Sequence, residues 1–235
     1  MQKNKAVLFL LLFSTISIYS QTTVTDKAFY KWFDATIGQE NTGLIDGLAY
    51  RELYRTKNDD HKFYTTSDFQ KGNITYNGQH YFDIDMKYDL HADEIIVKIP
   101  TQTITHTIQL IKENVERFTI KNSKFINLNN GFYEIIFKSE NLSFYKKHIK
   151  TSNKYYSGRS IFYRFKNKTE YVLYFKNEYH SISKSKKNLI KLMPEFKKEI
   201  NSFYKSKNEL LNINYNLFMQ QLMAELNDII SKKQV

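Results

Sequence analysis

The dipeptide Asn77-Gly78 constrains the fold more than any other feature of the chain. It lies between two runs that alternate apolar and polar residues. Both central residues of a type I′ hairpin turn need positive φ, which asparagine and glycine tolerate best. Ile74 and Tyr76 lead into the turn. In the returning run His80, Phe82, Ile84, Met86, Tyr88 and Leu90 share one face, expected to meet the core. Gln79, Tyr81, Asp83, Asp85, Lys87 and Asp89 share the other, expected to meet water. The period of two persists from Leu44 to about Ile182. It continues through Ile95, Val97 and Ile99, through Ile104, His106, Ile108 and Leu110, and through the runs KFINL, FYEIIFK, LSFYKKHI, SIFYRF and TEYVLYF. Turn residues separate many of these, among them Asn129-Asn130-Gly131 and Ser157-Gly158. No long helical pattern intervenes, which argues against a parallel α/β arrangement.

Helical periodicity is confined to the two ends. Phe29, Trp32, Phe33 and Ile37 predict a short amphipathic helix, stopped by Gly38 and capping the sheet. Leu189, Leu192, Met193, Phe196, Ile200, Phe203 and Tyr204 form one stripe with Pro194 inside it. A proline breaks a helix interior but suits a first turn, so two helices are expected, the second starting near Pro194. A last helix follows, with Leu217, Phe218, Leu222, Leu226, Ile229 and Ile230 as its apolar side. The expected fold class is α+β: a meandering antiparallel sheet, curled or barrel-like, with a short N-terminal helix and a C-terminal helical tail packed on it. Residues 1–20 read as a leader, 21–183 as the β-rich domain and 184–235 as a tail of the same domain.

The returning run also holds the densest set of acids. Asp83, Asp85 and Asp89 are candidate metal ligands or a carboxylate pair. Calcium needs six to eight oxygens, usually from a tight glycine-containing loop, and no such loop surrounds Asp83-x-Asp85. Carboxylates at i and i+2 fall within glycosidase reach, but every β protein offers that geometry. The plainer reading, a solvated sheet face, is preferred. His80 then reads as a core or edge histidine. The six histidines lack zinc-protease spacing, and no nucleophile elbow, phosphate loop or dinucleotide fingerprint occurs.

Charge is uneven. The chain carries +11, yet Leu142 to Asn208 alone holds 17 Lys and Arg against 4 Glu. Within it, YKKHIKTSNKYYSGRSIFYRFKNK interleaves cations with aromatic rings, a pattern that suits an acidic glycan, anionic lipid headgroups or nucleic acid. The candidate contacts are Lys146, Lys147, Lys150, Lys154, Arg159, Arg164 and Lys166. The plainer alternative is that these lysines keep aromatic-rich strands soluble.

The start of the chain sets the compartment. Lys3 and Lys5 precede an apolar run from Ala6 to Ile18, and Ser20 is small ahead of Gln21. This is the three-part pattern of a secretory peptide. The run is shorter than the roughly 20 residues a membrane span needs. A periplasmic or secreted protein, cleaved near Ser20/Gln21, is expected, which disfavours nucleic acid as a partner. With no cysteine, disulfides, thiolate catalysis and cysteine-zinc sites are excluded.

The stretches NTGLIDGLAY, KGNITYNGQHYFDIDMKYDLHADEIIVK, ERFTI, KFINL, GFYEIIF and SKSKKNLIKLMPEFKKEINSFYKSKNELLN together resemble exported proteins of flavobacterial type. The resemblance implies an envelope setting in a Gram-negative cell and carries no activity, cofactor or catalytic residue with it. The expected function is binding or scaffolding in the envelope, without catalysis or cofactor. The partner would be an anionic envelope polymer or another envelope protein. A carbohydrate-active enzyme or metal binder using the 83–89 strand is the alternative.

Overall fold

Eleven strands hydrogen-bond side by side into one antiparallel sheet in the computed structural model, which describes residues 24–128 and 131–233. The expected leader lies outside the described residues. Helix α1 (Val24–Ile37) comes first. The strands are β1 (Leu48–Ala49), β2 (Gln70–Tyr76), β3 (Gln79–Asp89), β4 (Glu94–Pro100), β5 (Thr105–Gln109), β6 (Val115–Ile120), β7 (Ser123–Asn127), β8 (Phe132–Lys138), β9 (Leu142–Ser157), β10 (Ser160–Phe175) and β11 (Glu178–Ile182). The tail holds α2 (Lys186–Leu192), α3 (Lys197–Ser206), α4 (Asn208–Ile213) and α5 (Tyr215–Lys233). Strand order is β1-β5-β4-β3-β2-β6-β7-β8-β9-β10-β11. The two edge strands, β1 and β11, do not pair, so the sheet is open rather than a closed barrel. No helix among the described residues is long and apolar enough to cross a membrane.

The Asn77-Gly78 turn forms as its residues dictate, with φ of 51° and 77° and Tyr76 opposite Gln79. Four residues later the simple alternation breaks. Gly72 pairs with Ile84 but Ile74 pairs with Tyr81, so Phe82 and Asp83 together oppose Asn73. This is a β-bulge, and a bulge reverses which residues face inward on either side of it. Beyond it, Ile84, Met86 and Tyr88 are buried as the pattern predicts. Before it the phase inverts: Tyr81 is only 2% exposed, while His80 and Phe82 lie on the outer face. The expectation that Tyr81 faces water and His80 and Phe82 the core is therefore corrected. Asp83 takes the left-handed conformation, φ 56°, at a cost of about 1 kcal/mol for a residue with a Cβ. Its N–H donates to Asn73 Oδ1 at 3.1 Å, which fixes the bulge. Gly72 is required nearby, since a Cβ there would lie 2.2 Å from the Thr119 carbonyl oxygen.

The bulge also decides how α1 docks. Phe82 on the outer face needs cover, and Tyr30 supplies it, 6.3 Å away ring to ring and 5.8 Å from His80. Lys27 sits over the Phe82 ring, and Lys31 bonds Asp83 at 2.7 Å. The helix therefore docks through Tyr30 and Asp34. The aromatic stripe expected to cap the sheet points away, with Trp32 62% exposed.

Inward-facing residues align in one row across eight strands: Tyr81, Ile74, Phe118, Phe125, Glu134, Lys146, Tyr171 and Ile182. Two apolar clusters occupy this face. The first gathers β2 to β7 and includes the stacked Phe118 and Phe125 rings, 4.6 Å apart; such a pair contributes about 1 kcal/mol beyond its burial. The second joins Phe144, Tyr171 and Leu173 to the tail through Leu189, Phe196, Ile200, Phe218 and Leu222. Glu134 and Lys146 separate the two. The tail breaks at Pro194 as its sequence predicts, but it has one more helix than expected, α4, set off from α3 at Lys207.

β9 and β10 are sixteen residues each and pair along their whole length. The sequence splits them into several short runs, because lysines and asparagines interrupt the apolar pattern where the strands leave the core. β8 reaches no further along β9 than Lys146, and β11 no further along β10 than Tyr171. The rest of the hairpin is an arm.

Candidate functional site

The three acids of β3 do not converge. Asp83 meets Lys31, Asp85 meets Lys71 at 3.0 Å, and Asp89 meets Lys62 at 2.7 Å. Hydrogen bonding to Lys31 holds the Asp83 carboxyl below its usual range. Asp89 corrects the sequence reading, since its side chain is 2% exposed rather than facing water. Its Oδ1 accepts the N–H groups of His91 and Ala92, closing the turn into β4. Lys62 is likewise buried, and also reaches Glu52 at 3.3 Å and lies over the rings of Tyr50, Tyr54 and Phe63. Among the described residues no group of three or more His, Cys, Asp or Glu could hold a metal ion.

A second polar set lies at the boundary between the two apolar clusters. Ser123 donates to Glu134 Oε1 at 2.6 Å, His148 Nε2 lies 2.7 Å from Glu134 Oε2, and the Tyr64 hydroxyl lies 2.8 Å from Ser123. Burial would raise the Glu134 carboxyl, but hydrogen bonds from His148 and Ser123 outweigh it and hold the group low. The carboxylate sits between serine and histidine. A nucleophile relay needs the histidine next to the serine, so this network bridges the interior rather than activating Ser123.

The basic candidates divide into two groups along the hairpin. At its root, Lys146 lies 3.9 Å from Glu134, Lys147 lies 3.5 Å from Asp93, and Lys150 donates to the His61 carbonyl. Burial lowers the pKa of Lys146 and Lys150. Farther out along the arm Lys154, Arg159, Arg164 and Lys166 are exposed. Two further cations join them that the sequence does not nominate. Arg55 and Lys57 both cover the Phe162 ring, at 4.8 and 4.6 Å, and bond Ser160 and Ser157. They arrive because residues 55–60 run along the free edge of β10. The Arg55 carbonyl accepts from the Tyr163 N–H, and the Asp60 carboxylate from the Phe165 N–H. On the hairpin Arg164 lies 5.3 Å from the Tyr155 ring and Lys154 lies 5.5 Å from that of Tyr156, itself 71% exposed. Among the described residues none of these six outer cations makes an ion pair.

The outer face of the sheet holds a cleft of about 670 Å³. Its floor is set by small polar residues of the central strands, Asn73, Thr75 and Thr119. Phe82 and His80, beneath α1, form one wall, and Lys124, Ile126 and Ile135 the other. Thr75 Oγ1 lies 2.8 Å from His80 Nδ1, and Asn73 Nδ2 donates to Thr119 Oγ1 at 3.3 Å. Arg117 and Lys138 stand at the rim, as do Glu113 and Glu116.

No family model matches this chain, and no curated protein or solved structure matches it either.

Proposed function

We propose that this is an exported envelope protein that binds rather than catalyses, and that its β9–β10 arm holds an anionic polymer. One observation carries the reading: six exposed cations, interleaved with Phe162, Tyr155 and Tyr156, line the two faces of the outer arm and, among the described residues, make no ion pair. Cation–ring contacts hold Arg55, Lys57, Lys154 and Arg164 in place without neutralising them. A polyanion can then bind by releasing its counterions, and such binding weakens steeply with salt. Lys146, Lys147 and Lys150 anchor the arm, since their charges or hydrogen bonds are already engaged. Export is supported by the charged and apolar pattern of residues 3–20, together with the absence of cysteine. The 83–89 acids, each held by its own lysine, have no part in this reading.

The test is retention on immobilised heparin over a salt gradient. Arg159→Glu with Arg164→Glu is expected to elute at clearly lower salt than the native chain, and Lys146→Gln close to it. Equal elution of the native chain and the arm variant refutes the proposal.

A further inference from the structure

We infer that the cleft on the outer face is a second, separate ligand site, and that it takes a short acidic saccharide: a sugar carrying a carboxylate or sulfate. The site does not depend on the arm, which stands on other strands and uses other residues.

Three features of the cleft select this chemistry together. The floor presents the Asn73 amide and the Thr119 hydroxyl, directly opposite one another on β2 and β6, with Thr75 buried beside them and bonded to His80. Such groups both donate and accept, as sugar hydroxyls do. Phe82 and Ile126 flank that floor and match the apolar faces of a pyranose ring. At the open end Lys124 and Lys138 make no ion pair among the described residues, and Arg117 meets Glu116 only at 3.9 Å. These cations supply the charge that an acidic substituent would meet.

The competing occupant for a groove with apolar walls is a fatty acyl chain. The floor argues against it. Covering the floor with hydrocarbon would strip water from the remaining amide N–H of Asn73 and the hydroxyl of Thr119 and return no hydrogen bond to either, at about 1–3 kcal/mol each. A neutral sugar would satisfy the floor but leave the lysines unused. The volume, about 670 Å³, is in the ordinary range for a small-molecule site.

The experiment is isothermal titration calorimetry of the purified chain with trigalacturonate, maltotriose and decanoate. Trigalacturonate is expected to bind and maltotriose to bind at least about tenfold more weakly, the worth of one charge-assisted hydrogen bond. Lys124→Glu with Lys138→Glu, both exposed and safe for folding, should weaken trigalacturonate by about tenfold or more. Thr119→Val should weaken both sugars. Arg159→Glu with Arg164→Glu should leave the titration unchanged, which separates this site from the arm. The inference is overturned if trigalacturonate gives no heat of binding at millimolar concentration, if the cleft variants bind it as the native chain does, or if decanoate binds more tightly through the same residues.

Discussion

Replacing Lys62 with methionine tests whether the buried Lys62–Asp89 pair clamps residues 50–67 to the sheet. The lysine side chain is 7% exposed and the aspartate 2%, with their charged atoms 2.7 Å apart. Lys62→Met fills much the same space but leaves Asp89 ionised, buried and without a cation. Breaking a pair this buried costs about 3–5 kcal/mol. Asp89→Asn is expected to cost less, about 2 kcal/mol: Lys62 keeps Glu52 at 3.3 Å and its three rings, and asparagine keeps the Oδ1 that caps the turn. Combining the two changes removes both charges, so the double variant should lie well above the sum of the singles, with a coupling of about 2–3 kcal/mol. Urea unfolding followed by circular dichroism measures all three. In a heat scan Lys62→Met should melt about 10 °C early, at roughly 2–4 °C per kcal/mol for a chain of this length. The same variant should reach the arm, because residues 55–60 carry Arg55 and Lys57 to Phe162. Its heparin elution should fall as well. A cost below about 1 kcal/mol, or strict additivity in the double variant, would refute the reasoning.

Two further outcomes follow from backbone and burial. Asp83→Gly relieves the left-handed strain at the bulge and should change stability by less than about 1 kcal/mol, whereas Asp83→Val should lose about 1–3 kcal/mol in urea titration; equal effects would mean the bulge is not held as described. Asp34 is buried with Oδ1 lacking a hydrogen bond, and burial raises its pKa above the ordinary 3.8. A raised carboxyl favours the protonated form when folded, so the ionised group destabilises at neutral pH and the penalty fades as pH falls through its folded value. Asp34→Asn should therefore stabilise by about 1 kcal/mol at pH 7, with an advantage that shrinks towards pH 4; a constant advantage would rule out the charge as the cause.

Local chemistry explains which parts of this structure were legible in the sequence. Asn77-Gly78 states its own turn, and Ile84, Met86 and Tyr88 state their face, because each depends on neighbours two residues away. The stripe from Leu189 to Phe203 is legible for the same reason. The bulge is not, since it depends on Asn73 reaching Asp83 across the hairpin, and an aspartate at positive φ looks like any other in the sequence. One inserted residue then turned Tyr81 inward and directed α1 through Tyr30 rather than Trp32. Asp89 looked solvated because its partner, Lys62, lies in a segment with no periodic pattern. Arg55 and Lys57 belong to that same segment. Four of the arm's six outer cations are visible as a run of charge, while the two that cover Phe162 arrive through backbone pairing, which no composition reports.

The Glu134–Lys146 rung has a consequence for how the molecule comes apart. Oil-like packing stops there on both sides, yet the peptide ladder continues through it from β7 to β10. Cooperativity between the halves is therefore transmitted by the amide ladder and the Tyr64–Ser123–Glu134–His148 side-chain bridge rather than by apolar packing. Hydrogen exchange is therefore expected to release the tail helices before the β2–β7 half, whose amides should be the slowest.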